Sequence, residues 1–199
     1  MSNVKNVSKK LSVKDLINTG IFTVIYFVIF VATTATAYIP LLLFVYPVIT
    51  ALIAGIPMIL FYTKVKKFGM VTISGVLVAI IMFLMGYGPI PSLGAIGCAL
   101  VADFIMKTGE YKSWGRMLLS YIIFSEWGVF SMTPIFIMGA AYFEPYRNYL
   151  GDEFVERAAS LIQGWMIPAV FIGIFIASVI GAYLGKAVLK KHFKRAGIL

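Results

Sequence analysis

A carboxylate set deep inside an apolar run carries the clearest chemical consequence in this chain. Glu126 stands in Tyr121-Ile122-Ile123-Phe124-Ser125-Glu126-Trp127-Gly128, flanked by hydrophobic residues on both sides. At that depth a carboxyl group needs protein, water, a ligand or another polar group beside it, because hydrocarbon solvates it badly. Two readings stay open from the residues: a substrate-binding or transport-coupling group, or a buried structural hydrogen bond. Trp127 points about 100° away from Glu126 on an ideal helix, so adjacency alone does not put both on one binding face. Tyr121, Ser125 and Trp127 can border different parts of a cavity or pack between helices.

Other chemistry is excluded by what the sequence lacks. His192 is the sole histidine and Cys98 the sole cysteine, too few for a zinc site or an intramolecular disulfide. No Gly-rich loop runs into Gly-Lys-Ser/Thr, so the chain holds no ordinary nucleotide-hydrolysis cassette. Nor is there a Ser/His/acid set with an activating geometry. The expectation is a chain with no catalytic residues, no metal and no cofactor of its own. A membrane enzyme working through Asp103 or Glu126 is an alternative without a reaction signature.

A second group of residues suits recognition rather than catalysis. Tyr87, Tyr142, Asn148, Gln163 and Trp165, with Tyr38 and Tyr46, fall at one set of ends of the apolar stretches. Aromatics stack on a small organic ligand while amides give direction through hydrogen bonds. The competing reading is a membrane-interface belt. Pro134 adds a local irregularity, since it removes a backbone donor and kinks a helix.

The elements that must position these groups are membrane helices. In 199 residues, 61% are hydrophobic and 13% charged, with a mean hydropathy of +0.95. Soluble domains average about 45–50% apolar and about 25% charged residues, so lipid must cover much of this chain. Apolar stretches read as 16–37, 40–62, 70–86, 89–106, 117–142 and 161–189, each on the scale of a ~20-residue span. The predicted fold is an all-α integral membrane protein, a compact bundle of six transmembrane helices. Its domains are a cytoplasmic segment 1–15, a membrane domain 16–189 and a basic cytoplasmic tail 190–199. The third and fourth stretches allow two full spans, a tilted pair or a re-entrant element. Ser12-Val13-Lys14-Asp15 fits a capping box ahead of the first helix.

Charge sets the orientation. Of 17 Lys and Arg residues, only Arg147 and Arg157 fall on the side opposite the termini, in a loop that also carries Glu144, Asp152, Glu153 and Glu156. This positive-inside pattern places both termini in the cytoplasm of a multi-pass cell-membrane protein. The same placement accounts for the net charge of +9 without nucleic acid as a partner. The 143–160 loop is long enough to cover a site, with short helical potential over 152–159.

Small residues mark where helices approach closely. Ala169, Gly173, Ala177, Gly181 and Gly185 recur at four-residue spacing on the last stretch, with a weaker pattern of Ala95, Ala99 and Asp103 on the fourth stretch and Gly75 and Ala79 on the third. Such stripes serve packing inside the bundle or contact with a partner helix. Asp103, close to the cytoplasmic end of the fourth stretch, is expected to reach water or Lys107 by snorkelling, with a coupling role as the alternative.

The six-stretch layout, with Gly86-Tyr87-Gly88-Pro89-Ile90-Pro91 and Ser125-Glu126-Trp127-Gly128, resembles the substrate-binding S component of an energy-coupling factor (ECF) transporter, especially a Trep_Strep or MptD-like membrane family. The resemblance covers about residues 12–195. It implies capture of a vitamin, precursor or other small organic molecule from outside for ATP-driven import. It also implies a transmembrane T component and two ATPase subunits as partners, with ATP bound in those ATPases. Many related S components carry an Ala-xxx-Ala coupling pattern on the first helix. Here that region reads Asn18-Thr19-Gly20-Ile21-Phe22-Thr23, which shifts the implied coupling surface to Gly20 and Thr23. A standalone small-molecule transporter and a structural membrane partner are the remaining alternatives.

Overall fold

The computed structural model describes residues 10–195, with side chains through Lys191. Residues 1–9 and 196–199, the outer parts of the expected 1–15 segment and 190–199 tail, lie outside the described residues. Every regular element among the described residues is helical.

Helix α1 (Val13–Thr34) starts where local chemistry provides a cap. The Ser12 Oγ accepts from Asp15 N at 3.3 Å, and the Asp15 carboxylate accepts from Ser12 N at 2.8 Å. Two backbone donors at the helix start are thereby satisfied. Asp15 also takes the Lys67 ammonium at 2.9 Å, tying the start of α1 to the connection between α2 (Tyr46–Lys64) and α3 (Met70–Leu84). Two 3-10 turns, Ala35–Tyr38 and Pro40–Phe44, lead from α1 into α2.

α3 has 15 residues, about 22 Å of helix against roughly 30 Å of hydrocarbon. It ends early because Gly86 and Gly88 adopt φ of 88° and 85°, a conformation open to glycine, and the Tyr87 N–H bonds Met82 O at 3.1 Å. Pro89 then opens α4 (Pro89–Thr108) at a position where its missing N–H has no helical partner to lose.

Asp103 corrects the snorkelling expectation. It is buried, and its Oδ2 accepts from Gly69 N at 2.8 Å, Thr72 N at 3.0 Å and Thr72 Oγ1 at 2.9 Å. The residue before α3 is Gly69, which has no side chain to cap the helix, so a carboxylate from α4 meets the orphan donors. Asp103→Ala should destabilise the fold by about 1–3 kcal/mol, since it strands those buried donors. Thermal unfolding in detergent reads this out, and an unchanged midpoint contradicts it.

The fifth apolar stretch, expected as one element, is two helices in one span-length segment: α5 (Trp114–Ser125) and α6 (Trp127–Met138). The break falls on Glu126, whose carbonyl accepts from Val129 N at 3.0 Å in a tightened turn. The long loop that follows contains α7 (Arg147–Leu150) and α8 (Asp152–Ser160), and α9 (Met166–Arg195) completes the bundle. Five segments are long and apolar enough to cross a bilayer: Val13–Tyr38, Tyr46–Lys64, Pro89–Thr108, Trp114–Tyr142 and Met166–Lys191.

Between helices, glycine permits contact that side chains would block. A Cβ added to Gly181 would fall under 3.0 Å from the Ala51 and Leu52 carbonyl oxygens of α2, and one on Gly185 would crowd Gly55 O. Gly173 faces Val48, Ala177 is buried, and Ala169 is exposed at the outer end of the stripe. Gly75 of α3 meets Ala99 and Ala95 of α4 in the same way, with Ala79 buried in that seam. Hydroxyls stitch other pairs: Thr23 Oγ1 donates to Ser74 Oγ at 2.8 Å, and Tyr121 OH to Ala51 O at 2.6 Å. In lipid, such packing and hydrogen bonding hold helices together where the hydrophobic effect between them is weak. Outward faces remain apolar, as with Val24 and Val28 on α1 and Ile172 and Ile176 on α9.

The bundle has two distinct ends. At one, Asp15 pairs with Lys67, the Lys107 ammonium lies 5.5 Å from the Phe68 ring centre, and Lys186 lies 4.1 Å from that of Trp114. α3 begins at this end, held by Asp103, and finishes at Tyr87, which lines a cavity at the other.

Candidate functional site

That cavity has a volume of about 660 Å³ and lies where the ends of α1, α2, α4 and α6 away from Lys67, Lys107 and Lys186 meet the α3–α4 turn and the 139–160 loop. Thr34 is the last residue of α1, Tyr38 closes the 3-10 turn after it, Tyr46 comes from the first turn of α2, and Tyr87 from the turn between α3 and α4. Pro134 and Ile135, three and four residues after Ser131, share its face of α6. The loop adds Tyr142, Phe143, Tyr146 and Phe154.

The floor is a small hydroxyl relay. Ser131 Oγ donates to Gly128 O at 2.6 Å and lies 2.8 Å from the Tyr46 hydroxyl. A serine has one proton to give, so Tyr46 is the donor to Ser131. Beneath Tyr46 the aromatics close ranks: Phe30 meets Tyr46 at 5.9 Å and Trp127 at 5.2 Å between ring centres. The Trp127 Nε1–H donates to Tyr26 OH at 2.6 Å.

The loop forms one wall of the cavity. Phe143, Val155 and Ala158 are buried, anchoring it to the bundle. Gly139 and Gly151, at φ of 57° and 82°, bracket the segment with turns that suit glycine. Arg147 binds Glu144 at 2.7 and 2.9 Å and Asp152 at 2.6 Å, and its guanidinium holds the Glu144 carboxyl below the ordinary range. Burial raises the Tyr87 phenol above its usual value, so it faces a ligand as a neutral hydroxyl.

Of the residues expected at a binding site, the cavity brings together Tyr87 and Tyr142, with Tyr38 and Tyr46 beside them. Trp127 sits under the floor and does not line it. Asn148 is exposed on the loop, and Gln163 and Trp165 are exposed and hydrogen-bonded to each other, away from the cavity. Glu126 is 6% exposed, does not line the cavity, and neither carboxylate oxygen has a hydrogen-bond partner. Sequence reasoning missed Ser131, Tyr146 and Phe154. The helical spacing of Ser131 from Trp127 was an available signal for the first.

No described residue hydrogen-bonds the Glu126 carboxyl. With no structural hydrogen bond, it burdens the fold, and Glu126→Met should stabilise the bundle by about 1–3 kcal/mol by replacing an unsatisfied polar group with an apolar one of similar length. Thermal unfolding in detergent measures this. A lowered midpoint would show that the carboxyl has a structural role.

Among the described residues no group of three or more His, Cys, Asp or Glu side chains is placed to hold a metal ion. A helical bundle with several membrane-crossing segments, stitched by glycine seams and opening into an aromatic cavity at one end, defines a multi-pass integral membrane protein. The chain belongs to the Trep_Strep family, described as hypothetical bacterial integral membrane proteins, whose model matches residues 13–195. Comparison with curated proteins and with solved structures returns no match.

Proposed function

We propose that this chain is the substrate-capturing S component of an ATP-driven ECF-type importer. It crosses the membrane six times with both termini cytoplasmic, and it takes a vitamin, precursor or other small organic molecule from outside. One observation carries the reading: the cavity is a dead end. It opens at the end away from the lysine-rich connections, which the positive-inside rule assigns to the exterior, and Trp127, Phe30 and Tyr26 seal it below. A cavity closed in this way binds a molecule but has no path through the bundle, so translocation requires a partner that reorients the chain.

Membership of the membrane family and the ECF resemblance support the same role. The partners are a T component and two ATPases, with ATP hydrolysed in the latter. On α1, Gly20 leaves open space where a Cβ would stand, which suits a partner's approach, while Thr23 is turned inward to Ser74. Cells expressing this chain with the T component and ATPases should accumulate substrate, and an ATPase-inactive partner should abolish uptake. Substrate flux by this chain alone in liposomes would sink the mechanism in favour of a standalone transporter.

A further inference from the structure

Resting on the capture role proposed above, we infer that the cavity selects an uncharged molecule built on a flat ring system, which donates a hydrogen bond to the Tyr46 oxygen. None of the lining residues carries a charge. In the adjoining loop, Glu144 and Asp152 are both engaged by Arg147. An ionised ligand would leave water for a site without a counter-ion, a transfer that costs several kcal/mol. A cation over the tyrosine faces recovers only about 0.5–2 kcal/mol, and an anion is repelled by them.

The walls favour a planar ligand. Tyr87 approaches from the α3–α4 turn, backed by Phe30 at 6.5 Å, while Tyr142 approaches from the loop, with Tyr146 at 6.0 Å between ring centres. Aromatic faces from two separate elements suit a ring inserted between them. At the floor the proton order runs from Tyr46 to Ser131 to Gly128 O, so the Tyr46 hydroxyl has already given its proton and presents an acceptor lone pair. A ligand N–H or O–H completes that chain, and a bare carbonyl does not.

The test uses the full chain in lipid nanodiscs and three probes on one bicyclic ring. These are indole-3-acetamide, which is neutral, indole-3-acetate, an anion, and trimethyl(indol-3-ylmethyl)ammonium, a cation. Calorimetric titration should show the amide binding at least about tenfold more tightly than either ion, since one lost buried interaction of this kind is worth a factor of that order. Tyr87→Ala should weaken the amide about tenfold, and Tyr46→Phe should weaken it several-fold in a protein that stays folded, its unfolding midpoint lowered only by the loss of the Tyr46–Ser131 hydrogen bond. Trp165→Ala, outside the cavity, should leave it unchanged.

An ion binding as tightly as the amide, with the same sensitivity to Tyr87→Ala, overturns the assignment of charge but leaves the cavity as a capture site. Amide binding unaffected by Tyr46→Phe overturns the hydrogen-bond assignment. No binding of any probe, combined with ATP-dependent uptake that survives Tyr87→Ala, removes the cavity from the transport pathway altogether.

Discussion

Trp127→Ala is expected to lower the stability of the folded bundle by about 3–5 kcal/mol, the range for deleting a large buried aromatic. Trp127 is 1% exposed, with ring centres of Phe30 at 5.2 Å and Tyr26 at 6.4 Å. Its removal opens a void between α1 and α6. It also takes the donor from Tyr26 OH, now held at 2.6 Å. The cavity floor rests on this cluster, so ligand affinity should fall with stability. Trp127→Phe keeps most of the volume and loses the hydrogen bond, and should cost about 1–2 kcal/mol, leaving a folded protein in which binding is still measurable. Unfolding midpoints in detergent compare the two. An alanine variant as stable as the parent would mean that the aromatic stack does not hold α6 to α1.

Gly181→Val is expected to disrupt the seam between α2 and α9. The added Cβ would fall under 3.0 Å from two backbone oxygens, Ala51 O and Leu52 O, which cannot swing aside as a flexible side chain does. The helices must separate, and the adjoining contacts of Gly55 and Gly185 go with them. Overpacking costs typically 1–3 kcal/mol, and a backbone obstacle puts this substitution at about the upper end of that range. Gly20→Val is the matched comparison, because nothing lies within 4 Å of a Cβ at that position. Both variants are read by the yield of monodisperse protein and its unfolding midpoint. The Gly20 variant should match the parent in both, while ATP-driven uptake with the partner proteins should fall if this face of α1 meets the T component. Equal behaviour of the two variants would refute the close approach at Gly181.

The matched glycines also show how far each feature was legible in the sequence. Four-residue spacing on the last helix, from Ala169 to Gly185, announced a close contact, because spacing maps directly onto one helix face. Its partner was not announced. Gly55 stands alone in α2, and only the crossing of α2 and α9 reveals that it faces Gly181. The capping box at Ser12 was readable because both partners lie within three residues. The cap on α3 was not, since its acceptor, Asp103, comes from the next helix, 34 residues after Gly69. Tyr87 and Tyr142 stood out as aromatics at helix ends, but so did Trp165, and end position alone does not distinguish a cavity wall from an interface anchor.

What the sequence determined by itself is the membrane and the gathering of basic residues in one set of connections. Apolar length, basic connections and the acidic 143–160 loop follow from transfer energies that act residue by residue and need no knowledge of neighbours. Tertiary structure decided the partners: it left Glu126 buried without a hydrogen bond, turned Asp103 from a snorkelling side chain into a cap, and shortened α3 at a glycine turn. It also gathered one cavity from four helix ends and a loop. Those outcomes depend on which surfaces meet, and pairing between helices is set by shape and hydrogen-bond geometry over distances along the chain that no local pattern records.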